Sequence, residues 1–440
     1  MRAGLLAFLC FLAALLVTSG PVQAQPAEGA PIRLGHSTAP LNGPWRFHLG
    51  DDPHWASPDF DDAAWETVDL TPPPGAHDGD VGLPGYVPGW NQRGHANVTG
   101  YAWYRLKVSV TGDGNAPLAL AGPTLVDSTY ELYVDGKRLG GPGVFSTAGP
   151  TVFAVRPTVF SLSALPTSGA REYVIAIRVW MDPSDAGSES GGIHIAPTIG
   201  DAESIGLLHQ VQWLRTFNGY VVDAVEPLAF VVLAIMAGAL FAARTDDRYA
   251  SLVVALLLLA LLRVNQVTYA WGHFQSLRCY DIATAVVIKP LALAAWILAW
   301  RDWFRVRNVP WLRPTVITLA IIYLVCAWLG RPWFMPDAMP TLKAGANLAV
   351  EGARVLFAIL FVGVVCLGVA RWPKPHAWLS ALCALLVGIG LFATELNALG
   401  VPGIWFPWGV GVARGQYAYA AFIPLLFLLL LFRLCKRKRA

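Results

Sequence analysis

The second half of this 440-residue chain is a series of long apolar segments. From about Gly219 to Phe432 the sequence keeps returning to stretches of roughly 20 mostly apolar residues, the length that crosses about 30 Å of hydrocarbon at about 1.5 Å per residue. Because 55% of the chain is hydrophobic and 14% is charged, it is not a single soluble domain. The pattern predicts an all-α bundle of seven transmembrane helices, at 219–243, 249–270, 279–300, 315–330, 346–370, 377–399 and 417–433.

Charge is distributed unevenly along the chain. Residues 25–215 hold 20 acidic and 11 basic side chains, whereas residues 216–440 hold 9 acidic and 20 basic ones. With the C-terminus in the cytoplasm, the segments on that side carry 13 basic residues and the opposite loops carry four. The positive-inside rule therefore places the acidic front half outside the cytoplasm and the C-terminus inside it.

The first 24 residues have the pattern of a signal peptide, with Arg2, an apolar core over 5–17 and a small-residue cleavage site at 22–24. We expect an exported domain at 25–203, a linker at 204–218, the seven-span module at 219–433 and a basic cytoplasmic tail at 434–440. The exported segment contains no cysteine, so it is not expected to depend on disulfides. No metal-ligand spacing is present, and neither a metal nor another cofactor is expected.

Short alternating segments between Ile32 and Gly200 predict β-strands separated by turns rich in Gly, Pro and Asp. The segment 101–110 alternates its side chains over ten residues, and the segment 173–180 predicts another strand. The segment 130–134 runs directly into Asp135-Gly136, a pair that favours a type I′ hairpin turn. The sequence therefore predicts an all-β sandwich in front of the helices.

Several ordered motifs in the front half carry a family resemblance. They are Leu41-Asn-Gly-Pro-Trp-Arg-Phe47, Phe60-Asp-Asp-Ala-Ala-Trp65, Trp103-Tyr-Arg105, Tyr133-Val-Asp-Gly136, Ile175-Ala-Ile-Arg-Val179 and Gly191-Gly-Ile193. Together they resemble the galactose-binding-like jelly roll at the front of family 2 glycoside hydrolases. In those enzymes the jelly roll is an accessory to a catalytic barrel. Since membrane segments stand where the barrel would be, the resemblance implies sugar binding without hydrolysis.

A jelly roll followed by seven spans resembles the bacterial seven-transmembrane receptors that carry diverse intracellular signalling modules. The resemblance implies an N-terminal all-β jelly-roll sandwich in the periplasm and an all-α seven-helix bundle in the bacterial inner membrane. Family members usually continue into a kinase, cyclase or phosphatase, whereas only residues 434–440 follow the last predicted span here. We therefore expect a separate cytoplasmic or membrane signalling partner, contact with membrane lipid and no nucleic-acid partner.

The loop 85–100 is the candidate ligand site of the jelly roll. It is rich in glycine, and sugar sites commonly combine an aromatic platform with amide and charged groups. Its candidate residues are Trp90, Asn91, Arg93, His95 and Asn97. The alternative is that Trp90 packs beneath its own loop and the others are solvated. A second polar loop covers 182–190.

The aspartates at 51, 52, 59, 61 and 62 suggest either a calcium site or turn and capping roles, and we favour the turn and capping roles.

Charged residues inside the predicted spans are expensive in hydrocarbon and therefore mark function or tight pairing. Besides Asp223, they are Glu226, Arg263, Lys289, Glu351, Arg354 and Glu395, and all fall in the outer half or near the midplane. They predict a paired polar network that couples to the exported domain, or a water-filled vestibule open towards it. The alternative is a set of static interhelical bonds.

Lys289-Pro290 predicts a kink in the third span. The tryptophans near span ends, including Trp296, Trp300, Trp303, Trp311 and Trp378, are expected in interfacial belts.

These patterns favour a membrane sensor whose jelly roll binds a carbohydrate, a small molecule or another envelope ligand. The alternative is a structural or assembly factor of envelope polysaccharide metabolism, and a transporter comes third. An enzyme is not expected, because the sequence shows no nucleophile elbow, phosphate loop or metal set.

Overall fold

The computed structural model describes most of the chain after the predicted signal peptide. The described residues are 32–34, 36–79, 82–112, 117–147, 149–162, 170–185, 187, 189–244, 246–272, 274–306, 308–334, 339–371 and 375–437. The predicted signal peptide and residues 438–440 of the predicted basic tail lie outside this part.

Two β-sheets form the N-terminal part. The larger sheet contains β3 (Trp45–Leu49), β4 (Glu66–Val68), β5 (Gly100–Gly112), β7 (Thr129–Val134), β8 (Lys137–Gly140) and β10 (Ala170–Met181), in the order β4-β3-β5-β10-β7-β8, and β1 (Ile32–Leu34) pairs in parallel with β5. The smaller sheet contains β2 (Thr38–Pro40), β6 (Leu118–Ala121), β9 (Val159–Ser161) and β11 (Thr198–Asp201), in the order β2-β11-β6-β9.

Alternation along the two longest strands builds the core of this β-sandwich. β5 and β10 pair antiparallel, with Tyr104 opposite Ile177. Side chains of the larger sheet, such as Ile177, share one buried apolar cluster with Leu120 and Ile199 of the smaller sheet. The strands predicted at 101–110, 130–134 and 173–180 are confirmed, each within a slightly longer strand.

The predicted hairpin at Asp135-Gly136 is also confirmed. The turn joins β7 to β8, and its two residues have φ values of 50° and 77°. Positive φ at both central positions is what a type I′ turn requires, and Asp and Gly tolerate it.

The aspartates near residues 51–62 act in turns and ion pairs. Asp52 accepts a hydrogen bond of 2.9 Å from the His54 amide and caps the short 3₁₀ helix Pro53–Ala56, and Asp61 accepts one of 3.0 Å from the Ala63 amide. Asp62 receives a bond of 2.8 Å from Arg105 Nε, whose side chain is fully buried. The capping and turn roles expected from the sequence are thus confirmed for Asp52 and Asp61.

The C-terminal part is helical. Its helices are α1 (Ala202–Arg244), α2 (Asp247–Trp271), α3 (Leu277–Trp303), α4 (Leu312–Leu329), α5 (Pro340–Arg371), α6 (Pro375–Leu391), α7 (Ala393–Ala398) and α8 (Arg414–Arg437). Within the described residues, six of these are long and apolar enough to cross a membrane: α1 to α5 and α8. The segment predicted as the sixth span, 377–399, is divided between the shorter helices α6 and α7.

The irregularity predicted at Lys289-Pro290 is a π-helical stretch in α3. Residues Ile282–Ile288 form a π-helical stretch, in which the Lys289 amide reaches back to the Thr284 carbonyl. Proline has no N–H to donate, and the wider turns before it accommodate the missing helical bond.

The tryptophan prediction is wrong for three of its residues. Trp311 and Trp378 are 57% and 66% exposed, and for them an interfacial position stays a prediction. Trp296, Trp300 and Trp303 are at most 1% exposed and lie in the core of the helical bundle. Position near a span end could not distinguish the two, because these three residues face the neighbouring helices.

Residues 204–218, expected as a linker, are helical and continuous with the first predicted span. Asp201 at the end of β11 accepts a hydrogen bond of 2.9 Å from the Ser204 amide. Ile205 then packs against Ala119 and Ala121 of β6. Helix α1 therefore begins directly on the β-sandwich and passes without a break into the bundle.

Further hydrogen bonds join the sandwich to the helices. The Leu277 amide donates to the Val152 carbonyl over 3.0 Å, and Arg156 Nη2 donates to the Ala270 carbonyl over 3.2 Å. The Ala270 carbonyl also accepts a bond of 2.8 Å from the Tyr220 hydroxyl. One carbonyl at the end of α2 is thus shared by the sandwich and by α1.

Candidate functional site

Trp90 fixes the predicted ligand loop to the core of the sandwich. Its side chain is 2% exposed, and its Nε1 donates to the Val98 carbonyl over 2.9 Å. Gly191 lies against the ring, since a Cβ there would sit 2.5 Å from ring atoms. Asn91 is also buried and donates to the Gly187 carbonyl over 2.8 Å. The Trp90 ring offers no open face to a ligand in this structure, which matches the packing alternative.

The other candidate residues of this loop point to separate surroundings. His95 Nε2 lies 2.9 Å from Glu66 Oε2, and its ring lies beside Phe47. Asn97 is exposed at a φ of 63°, and Arg93 is half-buried. A ligand role for the loop stays a prediction, but its five residues do not converge on one pocket.

A cavity of about 1040 Å³ lies instead between the β-sandwich and the helices. Its volume is at the upper end of ordinary small-molecule sites, which run to about 1,000 Å³. Polar and aromatic residues come from both sides: Tyr86, Asp127, Glu189 and His194 from the sandwich, and Gln212, Arg215, Tyr220, Asp223, Gln266, Tyr269 and Tyr280 from the helices. The second polar loop, 182–190, reaches this cavity through Gly187, Glu189 and Ser190. None of the five candidate residues of the loop 85–100 lines the cavity.

On the sandwich side, the buried His194 pairs with the half-buried Asp127. His194 is 2% exposed, its Nε2 lies 2.9 Å from Asp127 Oδ2, and its Nδ1 lies 2.8 Å from the Val87 carbonyl oxygen. Tyr86 stacks on the imidazole, with ring centroids 4.8 Å apart and planes 8° apart. Because both ring nitrogens face acceptors, the doubly protonated form satisfies all of these contacts.

The electrostatics of His194 agree with this geometry. Burial by itself would lower the pKa of His194, but the hydrogen bond to Asp127 and the charge of that carboxylate outweigh it. The Val87 carbonyl and the Asp78 carboxylate act in the same direction, so the pKa of His194 is raised above its ordinary value.

A pH dependence of stability follows from this raised pKa. The charged imidazolium stabilises the fold fully below the ordinary histidine pKa of 6.5, and its contribution disappears as the pH rises through the folded-state value. Relative to His194→Gln, the wild-type chain should be more stable by about 1.5–3 kcal/mol near pH 5.5, with the gap closing at alkaline pH. Thermal unfolding of the full chain at several pH values measures this. His54→Gln, at a side chain 88% exposed, is the control, and a gap independent of pH would contradict the charged pair.

Short backbone pairings hold the two halves of this wall together. The Asp127 amide donates to the Gly192 carbonyl over 3.0 Å, and the His194 amide donates to the Leu125 carbonyl over 3.0 Å. The Gly191 amide donates in turn to the Asp127 carboxylate. Asp127 and His194 are 67 positions apart, so no local spacing in the sequence could have indicated this pair.

On the helix side, Arg263 of α2 lies between two carboxylates of α1. Its Nη2 donates to Asp223, and its Nε lies 2.8 Å from Glu226 Oε2. The second pair is close in distance but too misaligned for a hydrogen bond. Arg263 Nη1 also donates to Gln266 Oε1 over 2.5 Å. All three charged side chains are at most 8% exposed, and Asp223 and Gln266 reach the cavity wall.

The other predicted intramembrane charges lie in separate groups. Arg354 Nε lies 2.6 Å from Glu395 Oε1, which joins α5 to α7. Lys289 lies on α3 together with Asp281, which pairs with Arg331 at 3.0 Å. Glu351 is exposed on α5. Among the described residues no ion pair connects Arg263 to these groups, so the structure shows several local pairs in place of one network.

Gln212 adds an unsatisfied acceptor to the cavity wall. Among the described residues, no hydrogen-bond partner is found for its buried Oε1. A buried polar atom without a partner is uncommon in folded proteins and is the kind of group that a ligand hydroxyl would satisfy. Gln212 lies in the segment 204–218 that was expected as a linker, where no sequence pattern marks a binding residue.

No family model matches the sequence, and no curated protein matches it. Among solved structures, a β-glucuronidase of Bacteroides uniformis is 18% identical, with a TM-score of 0.26, over 37% of this chain and 17% of that one. A β-glycosidase of Bacteroides vulgatus is 18% identical, with a TM-score of 0.24, over 37% and 20% of the two chains. A β-glucuronidase of Bifidobacterium dentium is 12% identical, with a TM-score of 0.25, over 39% and 32%. This likeness is weak and partial, and the function proposed below does not depend on it.

Proposed function

We propose that the protein is a membrane sensor that binds a polar ligand, a carbohydrate or another envelope compound, in the cavity between the β-sandwich and the helices. The observation that carries the proposal is that this cavity is built from both parts of the chain. A ligand that contacts both walls favours the arrangement in which they are correctly spaced. It shifts the equilibrium by its difference in affinity between two arrangements.

The lining suits a ligand rich in hydroxyl groups. Stacked rings are present on both walls, Tyr86 on His194 and Tyr269 on Tyr280, the latter with centroids 4.5 Å apart. Amide groups of Gln212 and Gln266 stand beside them. Aromatic faces with a few amides and charges are a common way to hold a sugar ring. The proposal is for binding without catalysis, and two of the carboxylates on the cavity wall, Asp127 and Asp223, are each held in an ion pair.

In this proposal the β-sandwich lies in the periplasm and α6 with α7 makes a seventh crossing. The excess of basic residues in the loops opposite the sandwich supports that orientation. The Arg263 cluster then lies in the outer half of the bundle, directly below the cavity. Asp223 belongs both to the cavity wall and to the cluster. A ligand in the cavity would therefore act on the contact between α1 and α2 through Asp223.

Binding to the full-length chain in lipid nanodiscs tests the proposal. A glycan array identifies a ligand, and calorimetry then compares Tyr86→Leu on one wall and Gln212→Leu on the other. Each change should weaken binding about tenfold or more, the effect of losing one good polar or stacking contact. Glu351→Gln, at an exposed residue away from the cavity, should bind like the wild type. Absence of any glycan ligand would refute the carbohydrate form of the proposal, and unchanged affinity in both wall variants would refute the cavity as the binding site.

A further inference from the structure

An apolar stripe runs along the outer face of helix α1. Leu207, Leu214, Leu228 and Ile235 are between 58% and 66% exposed, although they are large aliphatic side chains. With Val211, Val221, Val225 and Val232, and with Asn218 between Leu214 and Val221, they form a series whose intervals alternate between four and three residues. This is the heptad spacing of a coiled coil, sustained from residue 207 to residue 235.

The residue types at the two heptad positions are specific. The a positions hold Val211, Asn218, Val225 and Val232, and the d positions hold Leu207, Leu214, Val221, Leu228 and Ile235. β-branched residues at a, with leucine as the main residue at d, favour two parallel strands. A single asparagine at an a position fixes register and a two-stranded state at some cost in stability.

Contact with lipid does not account for the whole stripe. The 43 residues of α1 extend for about 65 Å, more than twice the roughly 30 Å of a hydrocarbon core. The first turns pack on the β-sandwich through Ile205, and Tyr220 is level with the end of α2 at Ala270. Leu207, Val211 and Leu214 therefore lie beyond the hydrocarbon, where their exposed faces would meet water.

Asn218 has the donor and acceptor that a symmetric contact needs. Its Nδ2 donates to the Trp408 carbonyl over 2.9 Å, which leaves one hydrogen of the amide group. Its Oδ1 is an acceptor and its second amide hydrogen is a donor, so each can take part in one more hydrogen bond. In a parallel pair of helices the same position of each copy meets at the axis, so the remaining N–H of one copy can donate to the Oδ1 of the other.

The apolar area of the stripe is smaller than the area of a stable interface between soluble proteins. The stripe is about 42 Å long, and a helix face about 10 Å wide therefore presents on the order of 400 Å² per copy. A stable interface between soluble proteins buries about 800 Å² per partner. Confinement of two copies to one membrane raises their effective concentration above that in solution, which favours association through a smaller area.

We propose that the protein forms a parallel homodimer in which α1 packs along residues 207–235 against α1 of a second copy. The proposal does not rest on a ligand in the cavity. Pro227 is buried and falls at neither heptad position, so its ring faces the protein's own bundle and not the seam. Because Val211 both lines the cavity and lies in the seam, pairing would bring the two cavities of the dimer close to the contact.

A cysteine scan of the full-length chain in membranes tests the pairing. The exposed Cys279, Cys366 and Cys435 are first replaced by serine, and single cysteines are then placed along α1. Disulfide cross-linking at Leu207→Cys, Leu214→Cys and Val221→Cys should exceed that at His209→Cys and Phe274→Cys at least fivefold. Phe274 is 84% exposed but lies off α1, which controls for random collision. Equal yields at all positions, or no cross-linking at the d positions, would overturn the proposal.

Variants of the seam provide an independent measurement. In nanodiscs with single-molecule subunit counting, Leu214→Asn should lower the dimer fraction at least tenfold at equal protein density. Asn218→Val should keep the chain associated and add species larger than a dimer, because the residue that specifies two strands is gone. A monomeric wild type, or the same subunit count in the wild type and both variants, would overturn the proposal even if one variant folded poorly.

Discussion

Arg263→Met should lower the free energy of unfolding of the full-length chain by about 3–5 kcal/mol, and much of the variant should fail to fold. The change leaves Asp223 and Glu226 as two carboxylates, each side chain 5% exposed, without their cation. Breaking a buried ion pair from one side costs this much because the remaining charge is buried and uncompensated. The midpoint of thermal unfolding in detergent and the monodisperse fraction after purification are the measurements.

Removal of the remaining charges should rescue this variant. Asp223→Asn and Glu226→Gln, combined with Arg263→Met, replace the cluster by neutral groups of similar size, and such replacements of buried ion pairs are often nearly neutral in stability. As a control, Arg171→Met breaks a pair whose side chains are 35% and 36% exposed and should cost at most about 1 kcal/mol. A triple variant no more stable than Arg263→Met alone would show that packing, and not charge, is responsible.

Gly219→Ala and Gly206→Ala should have opposite effects, although they are the same substitution in the same helix. At Gly219 a Cβ would lie 1.8 Å from the Val410 carbonyl oxygen, so the segment around Val410 would have to move. Overpacking of this kind costs about 1–3 kcal/mol. At Gly206 nothing lies within 4 Å of the new methyl group, and alanine should stabilise the helix by up to about 1 kcal/mol.

The Gly219 change should also alter the cavity, because Val410 and Gly411 line it and the Val410 amide donates to the Arg215 carbonyl over 3.2 Å. Limited proteolysis of the segment 399–413 reports its release from α1. We expect faster cleavage in Gly219→Ala and wild-type behaviour in Gly206→Ala. Equal unfolding midpoints and equal cleavage rates in the two variants would show that the close approach of α1 to this segment is unimportant.

Local patterns in the sequence were sufficient for several elements. The strands around Tyr104, Leu132 and Ile177 follow from period-two alternation, and the turn at Asp135-Gly136 follows from the two residues that tolerate positive φ. Six of the seven predicted spans correspond to helices long enough to cross a membrane. These features depend on neighbouring residues, so a single sequence contains the information that they need.

The candidate site was predicted less well, because its residues meet only through the tertiary structure. The loop around Trp90 has the composition of a binding loop, but the Trp90 ring is buried under Gly191. Asp127 meets His194 across 67 residues, and Asp223 meets Arg263 across 40. The distribution of charges between separate groups depends on which helices are neighbours, and hydropathy does not contain that information.

The sequence by itself determined that a β-sheet domain precedes a set of long apolar helices. The period of hydrophobic residues and the length of an apolar segment are local properties, and they depend directly on whether water or hydrocarbon surrounds the segment. Only the tertiary structure decided that the two parts share a cavity, that α1 runs unbroken from one to the other, and which charges pair inside the bundle. Those outcomes depend on how helices and sheets pack against each other. Packing brings together residues that the chain separates by tens of positions.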